Sequence, residues 1–316
     1  MSVQDKYAEF HRRSIADREG FWAQEAKLVH WNKPFSKVLD YSRPPFAKWF
    51  VGGETNLCYN ALDRHLAARA RQKALVWIST EVDQTRSFSY QELFSEVNRT
   101  AAMMQALGVK RGDRVIIYMP NMPEAVFAIL ACARIGAVHS VVFGGFAAAS
   151  LAARIDDARP KLMVTVDGGS RMGKSILYKP LVDESIRLSQ SPPEHVLVYR
   201  RGIDPDMPLV AGRDVDWKEL AAQHEGARVP CAWLESSEPS YILYTSGTTG
   251  KPKEGAGDGA AANVVSGGRM PRAASRGRKR IGFTGSRDFR GMKGSSFPST
   301  IARKRYVAHD PRHGIV

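Results

Sequence analysis

The chain has 316 residues, of which 43% are hydrophobic and 25% charged; that is the make-up of a globular protein, with length for one large or two ordinary domains. Three widely spaced cysteines, Cys58, Cys132 and Cys231, argue against a disulfide framework or a zinc cluster and suit a reducing cytoplasm. The net charge of +14 does not make the whole chain a nucleic-acid binder, because residues 254–316 hold 13 Lys+Arg and 4 Asp+Glu while residues 1–253 hold 33 and 28.

The N-terminus, MSVQDKYAEFHRRS, has no apolar core, so no secretory signal is expected. Residues 1–60 carry aromatic clusters at Phe21-Trp22, Trp31, Phe35 and Phe46 to Phe50; they are read as short helices and loops packed on a larger body. Ala74 to Thr80 is rich in β-formers and Arg86 to Tyr90 alternates, so both are predicted strands. Gln91 to Leu107 repeats apolar residues at helical spacing, with Gly108 as its stop.

A regular alternation then begins. Strands are predicted at Arg114–Met119, His139–Phe143, Lys161–Val166 and His195–Tyr199, with a further one at Tyr241-Ile242-Leu243. Helices are predicted from Pro123 to Ile135, from Ala148 to Ala158 with Pro160 as its stop, around Leu181–Leu188, and from Asp216 to His224. The apolar stretch Ala125–Phe143 is long, but Arg134, Gly136 and His139 interrupt it, so it divides into a helix and a strand rather than a membrane span. Short apolar strands alternating with helices predict an α/β fold: a mainly parallel sheet with helices on both faces. Ligands of such sheets bind at loops beyond the carboxyl ends of the strands. Residues 254–316 lose the pattern, being dominated by glycine, alanine, serine and arginine, and are expected to form a disordered tail.

The loop after Tyr241-Ile242-Leu243 reads Tyr244-Thr245-Ser246-Gly247-Thr248-Thr249-Gly250-Lys251-Pro252-Lys253. Glycines let a backbone turn tightly and aim its N–H groups at an anion. Hydroxyls add donors and lysines add charge, a combination suited to a polyphosphate. An ordinary surface turn needs one glycine or proline, not this density of donors.

This string resembles the signature of the AMP-forming acyl- and aryl-CoA synthetases, the adenylate-forming superfamily. The resemblance runs from the N-terminus to Lys253. Phe21-Trp22-Ala23, Trp31 to Phe35, Asn56 to Leu66, Gly112 to Pro120, Ala131 to Ala137, His139 to Phe146 and Trp233 to Ser236 resemble the short-chain branch. Pro44 to Phe50 and Asn56-Leu57-Cys58 look nearer to the propionyl-CoA than to the acetyl-CoA synthetases. The resemblance implies a propionate–CoA ligase, or an acetate–CoA ligase as the alternative. ATP and a carboxylate would form an acyl-adenylate and pyrophosphate, and CoA would then displace AMP. It implies ATP, CoA and Mg²⁺ as cofactors, small-molecule partners, no membrane, and a cytoplasmic location. Thr245, Ser246, Gly247, Thr248, Thr249, Gly250 and Lys251 would wrap the β- and γ-phosphates of ATP, where donors stabilise the departing pyrophosphate. Lys253 is read as solvated.

A second loop, Gly168-Gly169-Ser170-Arg171-Met172-Gly173-Lys174-Ser175, formally satisfies the P-loop pattern of a nucleotide hydrolase. Pro180 interrupts the helix that should start at the lysine, and His195–Tyr199 runs into Arg200-Arg201 rather than a Mg²⁺-binding aspartate. In short-chain acyl-CoA synthetases this position carries a basic pair that resembles Arg171 and Lys174 and binds the phosphates and adenine of CoA; an ordinary basic loop is the bland alternative. Gly144-Gly145 is read as a tight strand-to-helix turn and His139 as a packed or edge histidine. Asp156 and Asp157, adjacent on a helix, cannot share a metal and are read as solvated.

The resemblance divides the chain into an N-terminal extension (1–60), a partial AMP-binding α/β domain (61–253) and the basic tail (254–316). The change of composition after Lys253 reads as a frameshift or a fusion. Arg272–Arg280 offers the tail's one route to a nucleic-acid partner. The family's adenine loop, acyl pocket, Mg²⁺ and ribose carboxylates and the C-terminal domain with the catalytic lysine all follow this point. No catalytic or metal residue is therefore assigned, and the chain alone is expected to be inactive or barely active. Its last strand is expected to be an unprotected sheet edge.

Overall fold

The computed structural model describes residues 3–79, 81–142, 144–171, 173–245 and 253–257. Two helices open it, α1 (Val3–Ala16) and α2 (Arg18–Ala26). The Asp17 side chain caps α2 by accepting from the Gly20 amide. Strands β1 (Lys37–Arg43) and β2 (Phe46–Val51) then pair as an antiparallel hairpin. Trp22, Trp31, Phe35 and Trp49 pack on buried Ala26, Val38 and Phe50. The expected helices and loops therefore include a hairpin. Its period-2 signal is hidden because aromatic residues occupy both faces of β2, at Phe46, Trp49 and Phe50.

Next come β3 (Glu54–Thr55), α3 (Leu57–Ala61) and the single-turn α4 (Leu66–Arg69). A second antiparallel hairpin pairs β4 (Lys73–Ser79) with β5 (Gln84–Ser89). Helix α5 (Tyr90–Ala106) starts at a full capping box. The Ser89 hydroxyl accepts from the Glu92 amide and the Glu92 carboxylate from the Ser89 amide. Gly108, at φ +79°, ends it.

The central alternation matches expectation closely. It runs β6 (Arg114–Tyr118), α6 (Pro123–Ile135), β7 (Val138–Val142), α7 (Ala148–Ala158) and β8 (Leu162–Val166). A short hairpin follows, β9 (Gly168–Arg171) and β10 (Lys174–Leu177), then α8 (Tyr178–Leu188), β11 (His195–Tyr199), β12 (Asp214–Asp216) and α9 (Trp217–Gln223). Strands β13 (Leu234–Glu235), β14 (Tyr241–Thr245) and β15 (Lys253–Gly257) close the described chain. Helix α7 ends at Arg159, which takes a left-handed φ of +47° as its cap, and Pro160 beyond it has no amide to continue the helix.

The main sheet has the order β12-β11-β8-β6-β7-β14-β15. All neighbours from β12 to β14 are parallel, and β15 is antiparallel to β14. Every residue of β8 and the last four of β6 are buried, the near-continuous apolar strand of a sheet covered on both faces. Helix α5 packs on α6, and α7 on α8. Among the described residues no helix is long and apolar enough to cross a membrane.

The last strand differs from expectation. Lys253–Gly257 pairs with β14 along its whole length, Thr245 opposite Lys253 and Tyr241 opposite Gly257. The sheet thus runs past residue 253, and β14 is not its edge. Backbone ladders need no side-chain signal, which is why Glu254-Gly255-Ala256-Gly257 was invisible as a strand. The rest of the expected disordered tail, residues 258–316, lies outside the described residues.

Arg134, on α6, is buried beneath the N-terminal part. Its guanidinium donates to both Asp63 carboxylate oxygens at 2.9 and 2.8 Å, to the Val229 carbonyl, and to Cys58 Sγ at 3.4 Å. It lies 5.0 Å from the Phe94 ring centre. Burial works against the charge, but the Asp63 bonds outweigh it and push the guanidinium further up. Arg134→Ala leaves Asp63 half-buried without its cation, and should lower stability by about 3–5 kcal/mol. Removing the exposed Arg111–Glu238 pair by Arg111→Ala should cost less than about 1 kcal/mol. Urea denaturation of the two variants checks the contrast.

Candidate functional site

In a parallel sheet all carboxyl ends lie along one edge. The turns after β6, β7, β8, β11 and β14 therefore emerge together. Chain order reverses across the β6–β8 boundary: β7 lies on one side of β6, and β8 and β11 on the other. That boundary is the switch point at which ligands of such sheets bind. The β9–β10 hairpin follows β8 directly. The Thr245–Lys251 loop follows β14, three strand spacings away in the order β8-β6-β7-β14, or about 14 Å. Thr245 is the last residue of β14. Ser246, Gly247, Thr248, Thr249, Gly250 and Lys251 lie outside the described residues.

The base of the β14 loop is held by α7. The Tyr244 hydroxyl donates to Asp157 Oδ2 at 2.6 Å. The Arg154 guanidinium lies 5.1 Å from the Tyr244 ring centre and 4.2 Å from that of Phe146. Arg154, three residues before Asp157 on one helix face, was not picked out from the sequence. Asp157 is exposed, so it is solvated as expected, and it also accepts the Tyr244 bond. Asp156, half-buried, departs from that expectation. Its Oδ1 accepts from the Ser189 hydroxyl at 2.5 Å and from the Gln190 and Ser191 amides at 2.7 and 3.0 Å. These bonds, the Ser189 hydroxyl first, hold its carboxyl below the usual range.

The switch point itself is filled. Tyr118 and Tyr178 rings meet at 5.0 Å, and the Tyr118 hydroxyl donates to the Phe146 carbonyl at 3.0 Å. Burial, with Tyr178 beside it, pushes that hydroxyl up to about 12. A Cβ on Gly144 would stand 1.9 Å from the Tyr178 hydroxyl. The turn at Gly144-Gly145 is therefore glycine for close approach as well as for tightness.

The basic hairpin is clamped at its base. Asp167, fully buried, accepts from the Gly168, Gly202 and Ile203 amides at 2.7, 2.8 and 2.9 Å. Glu81 accepts from the Ser170 amide and from Arg201 Nη1, the latter at 2.8 Å, and Arg201 donates to the Gly168 carbonyl at 2.9 Å. Arg171 and Lys174 are directly paired across the strands, and Lys174 is exposed. This geometry removes the P-loop reading. A P-loop lysine opens a helix, with the loop amides turned to the phosphate. Here Lys174 opens a strand, and the helix begins at Tyr178.

The Sγ atoms of Cys58 and Cys231 and a carboxylate oxygen of Asp63 all lie within 4.8 Å of one another, although the sequence spacing had left the cysteines isolated. This is the one such close set among the described residues. Two thiols and a carboxylate already held by a guanidinium do not suit a hard, oxygen-seeking cation such as Mg²⁺.

His139 packs beside Tyr241, ring centres 6.0 Å apart. Its Nδ1 is shielded from water and has no hydrogen-bond partner among the described residues. Burial lowers it from its ordinary 6.5 to about 4. It is a packed histidine on an interior strand, β7, the first of the two readings expected.

The comparisons with known proteins agree with this architecture. The family model described as AMP-binding enzyme matches residues 62–254, and the chain belongs to that family. A second, described as acetyl-coenzyme A synthetase N-terminus, matches residues 7–61. A propionate–CoA ligase of Salmonella typhimurium is 56% identical over 247 residues, covering 78% of this chain and 39% of the relative. An acetyl-coenzyme A synthetase of Streptomyces avermitilis is 47% identical over 246 residues, 78% of this chain and 37% of its own length. Among solved structures, the acetoacetyl-CoA synthetase from Streptomyces lividans superposes with a TM-score of 0.74 at 31% identity, covering 82% of this chain and 39% of that one. The chain thus spans about two fifths of the length of the relatives it matches.

A pH dependence follows from His139. Its pKa in the folded chain lies below the unfolded value, so the unfolded chain binds the proton first as pH falls. The stability is present above pH 6.5 and lost between 6.5 and about 4. The loss should reach at most about 3 kcal/mol. Urea midpoints between pH 7 and 4.5 should fall less steeply in His139→Gln.

Proposed function

We propose that these residues form the phosphate-binding part of an AMP-forming short-chain acid–CoA ligase acting on propionate, with acetate as the alternative acid. The chain would divide into an N-terminal extension (1–60), part of the AMP-binding domain (61–253) and a basic segment (254–316). The carrying observation is the 56% identity to a propionate–CoA ligase over 247 residues, against 47% to an acetyl-coenzyme A synthetase. It is supported by the phosphate-type loop at the carboxyl end of a parallel strand.

The chemistry assigns roles as follows. Thr245, Ser246, Gly247, Thr248, Thr249, Gly250 and Lys251 grip the β- and γ-phosphates of ATP. The carboxylate attacks the α-phosphorus, the bond to pyrophosphate breaks, and these donors stabilise the charge the leaving group gains. The thiol of CoA then attacks the acyl-adenylate carbonyl and AMP departs. Arg171 and Lys174, paired across the hairpin, hold the CoA phosphates as adjacent cations. ATP would enter as its Mg²⁺ complex, and no residue named here is assigned to the metal. The free thiols suit a cytoplasmic location.

A chimera tests this reading directly. Residues 1–253 replace the matching part of the Salmonella typhimurium ligase, and exchange of labelled pyrophosphate into ATP is measured. Propionate should stimulate exchange more than acetate does. Lys251→Ala should slow exchange about 100-fold. Lys174→Ala should leave exchange intact and weaken CoA binding about tenfold. Exchange indifferent to Lys251→Ala, or abolished by Lys174→Ala, would contradict the assignment.

A further inference from the structure

We propose that Cys58 and Cys231 are an oxidisable dithiol, a modification site at which a peroxide converts two free thiols into one intramolecular disulfide. The two residues are far apart in sequence. The fold places Cys58 on α3 and Cys231 on the segment that leads into β13, with their sulfurs within 4.8 Å. A disulfide needs about 2 Å between sulfurs. Cys58 is fully buried and Cys231 is partly exposed, so turning the Cys231 side chain can close the gap.

The surroundings assign an order to the chemistry. Cys231 is the sulfur that a small oxidant can reach. Burial, with a hydrogen bond to Cys231 adding to it, keeps the Cys58 thiol protonated well above its ordinary value. Arg134 Nη1, at 3.4 Å from Cys58 Sγ, is the cation that stabilises negative charge as that proton leaves. The Cys231 thiolate attacks one peroxide oxygen, the O–O bond breaks, and with one proton a water departs. Cys231 is then a sulfenic acid. Cys58 sulfur attacks the Cys231 sulfur, the S–O bond breaks, and the Cys58 proton leaves with the oxygen as a second water. Two thiols are oxidised by two electrons and the peroxide is reduced to two waters.

A metal is the rival occupant of the same cluster. Both Asp63 oxygens are taken by Arg134 at 2.8 and 2.9 Å. A cation bound there would face that fixed positive charge, so the geometry favours the disulfide. The third cysteine is outside this arrangement: Cys132 is fully buried, with Met104 Sδ at 3.8 Å.

The test is oxidation of the full chain with a small excess of hydrogen peroxide, alkylation under denaturing conditions, and peptide mass mapping. The expected result is a Cys58–Cys231 cross-linked peptide lighter by two hydrogen atoms, with Cys132 alkylated. The oxidised chain should melt roughly 5 °C higher, since the bond closes a long loop. Cys132→Ala should keep the cross-link and Cys231→Ser should abolish it. Alkylation of both Cys58 and Cys231 after oxidation would overturn the proposal, as would over-oxidised Cys231 without a cross-link. So would protection of both thiols by one equivalent of Cd²⁺ in a chain that peroxide fails to cross-link.

Discussion

The rest of the structure depends on the buried charge of Arg134. One guanidinium joins three parts of the chain: Asp63 in the turn after α3, Val229 in the segment before β13, and the Phe94 ring of α5. Backbone bonds reinforce the junction. The Ala232 amide donates to the Arg134 carbonyl at 2.7 Å, and Asn56 Nδ2 donates to the Ala133 and Ala232 carbonyls, both at 2.7 Å. A buried cation is costly unless its partners are in place, so this site selects one relative placement of the three parts.

The consequence reaches the candidate site. Residues 229–236 form a strap held by Asn98 Oδ1 at the Val229 amide, by Arg134 and by Asn56. The strap then pairs through β13 with β3, and Ser236 donates to the Trp49 and Phe50 carbonyls at 2.7 Å. Five residues after Ser236, at Tyr241, the chain enters β14. The residues of β2 and β3 therefore steady the approach to β14, while Tyr244, Asp157 and Arg154 steady its far end. Positioning of this kind is what the proposed phosphate grip needs, because misplaced donors stabilise little charge.

Much of this was legible in the sequence, and for a physical reason. The strands β6, β8 and β11 are buried on both faces and so are written as apolar runs. Pro123 and Gly136 mark α6 at both ends. The features that were not legible are those whose signal is tertiary. Cys58 and Cys231 meet only because α3 and the strap meet at Arg134. Asp156 looks solvated until the loop after α8 arrives beside it, and the tie of the exposed Asp157 to Tyr244 shows only once the end of β14 is in place. The β9–β10 hairpin carries a string that matches a P-loop by spacing, and only its strand pairing shows that Lys174 opens no helix. The hairpin β1–β2 was missed because aromatic residues on both faces erase the alternation.

The central claim is that ATP phosphates belong to the loop after β14, while the hairpin after β8 serves a different ligand. Hydrogen–deuterium exchange of the chain with and without ATP, read on peptides covering residues 241–254 and 168–177, tests it most directly. The account predicts that ATP slows exchange in the first peptide and leaves the second unchanged. Protection of residues 168–177 by ATP, with none at 241–254, would contradict it.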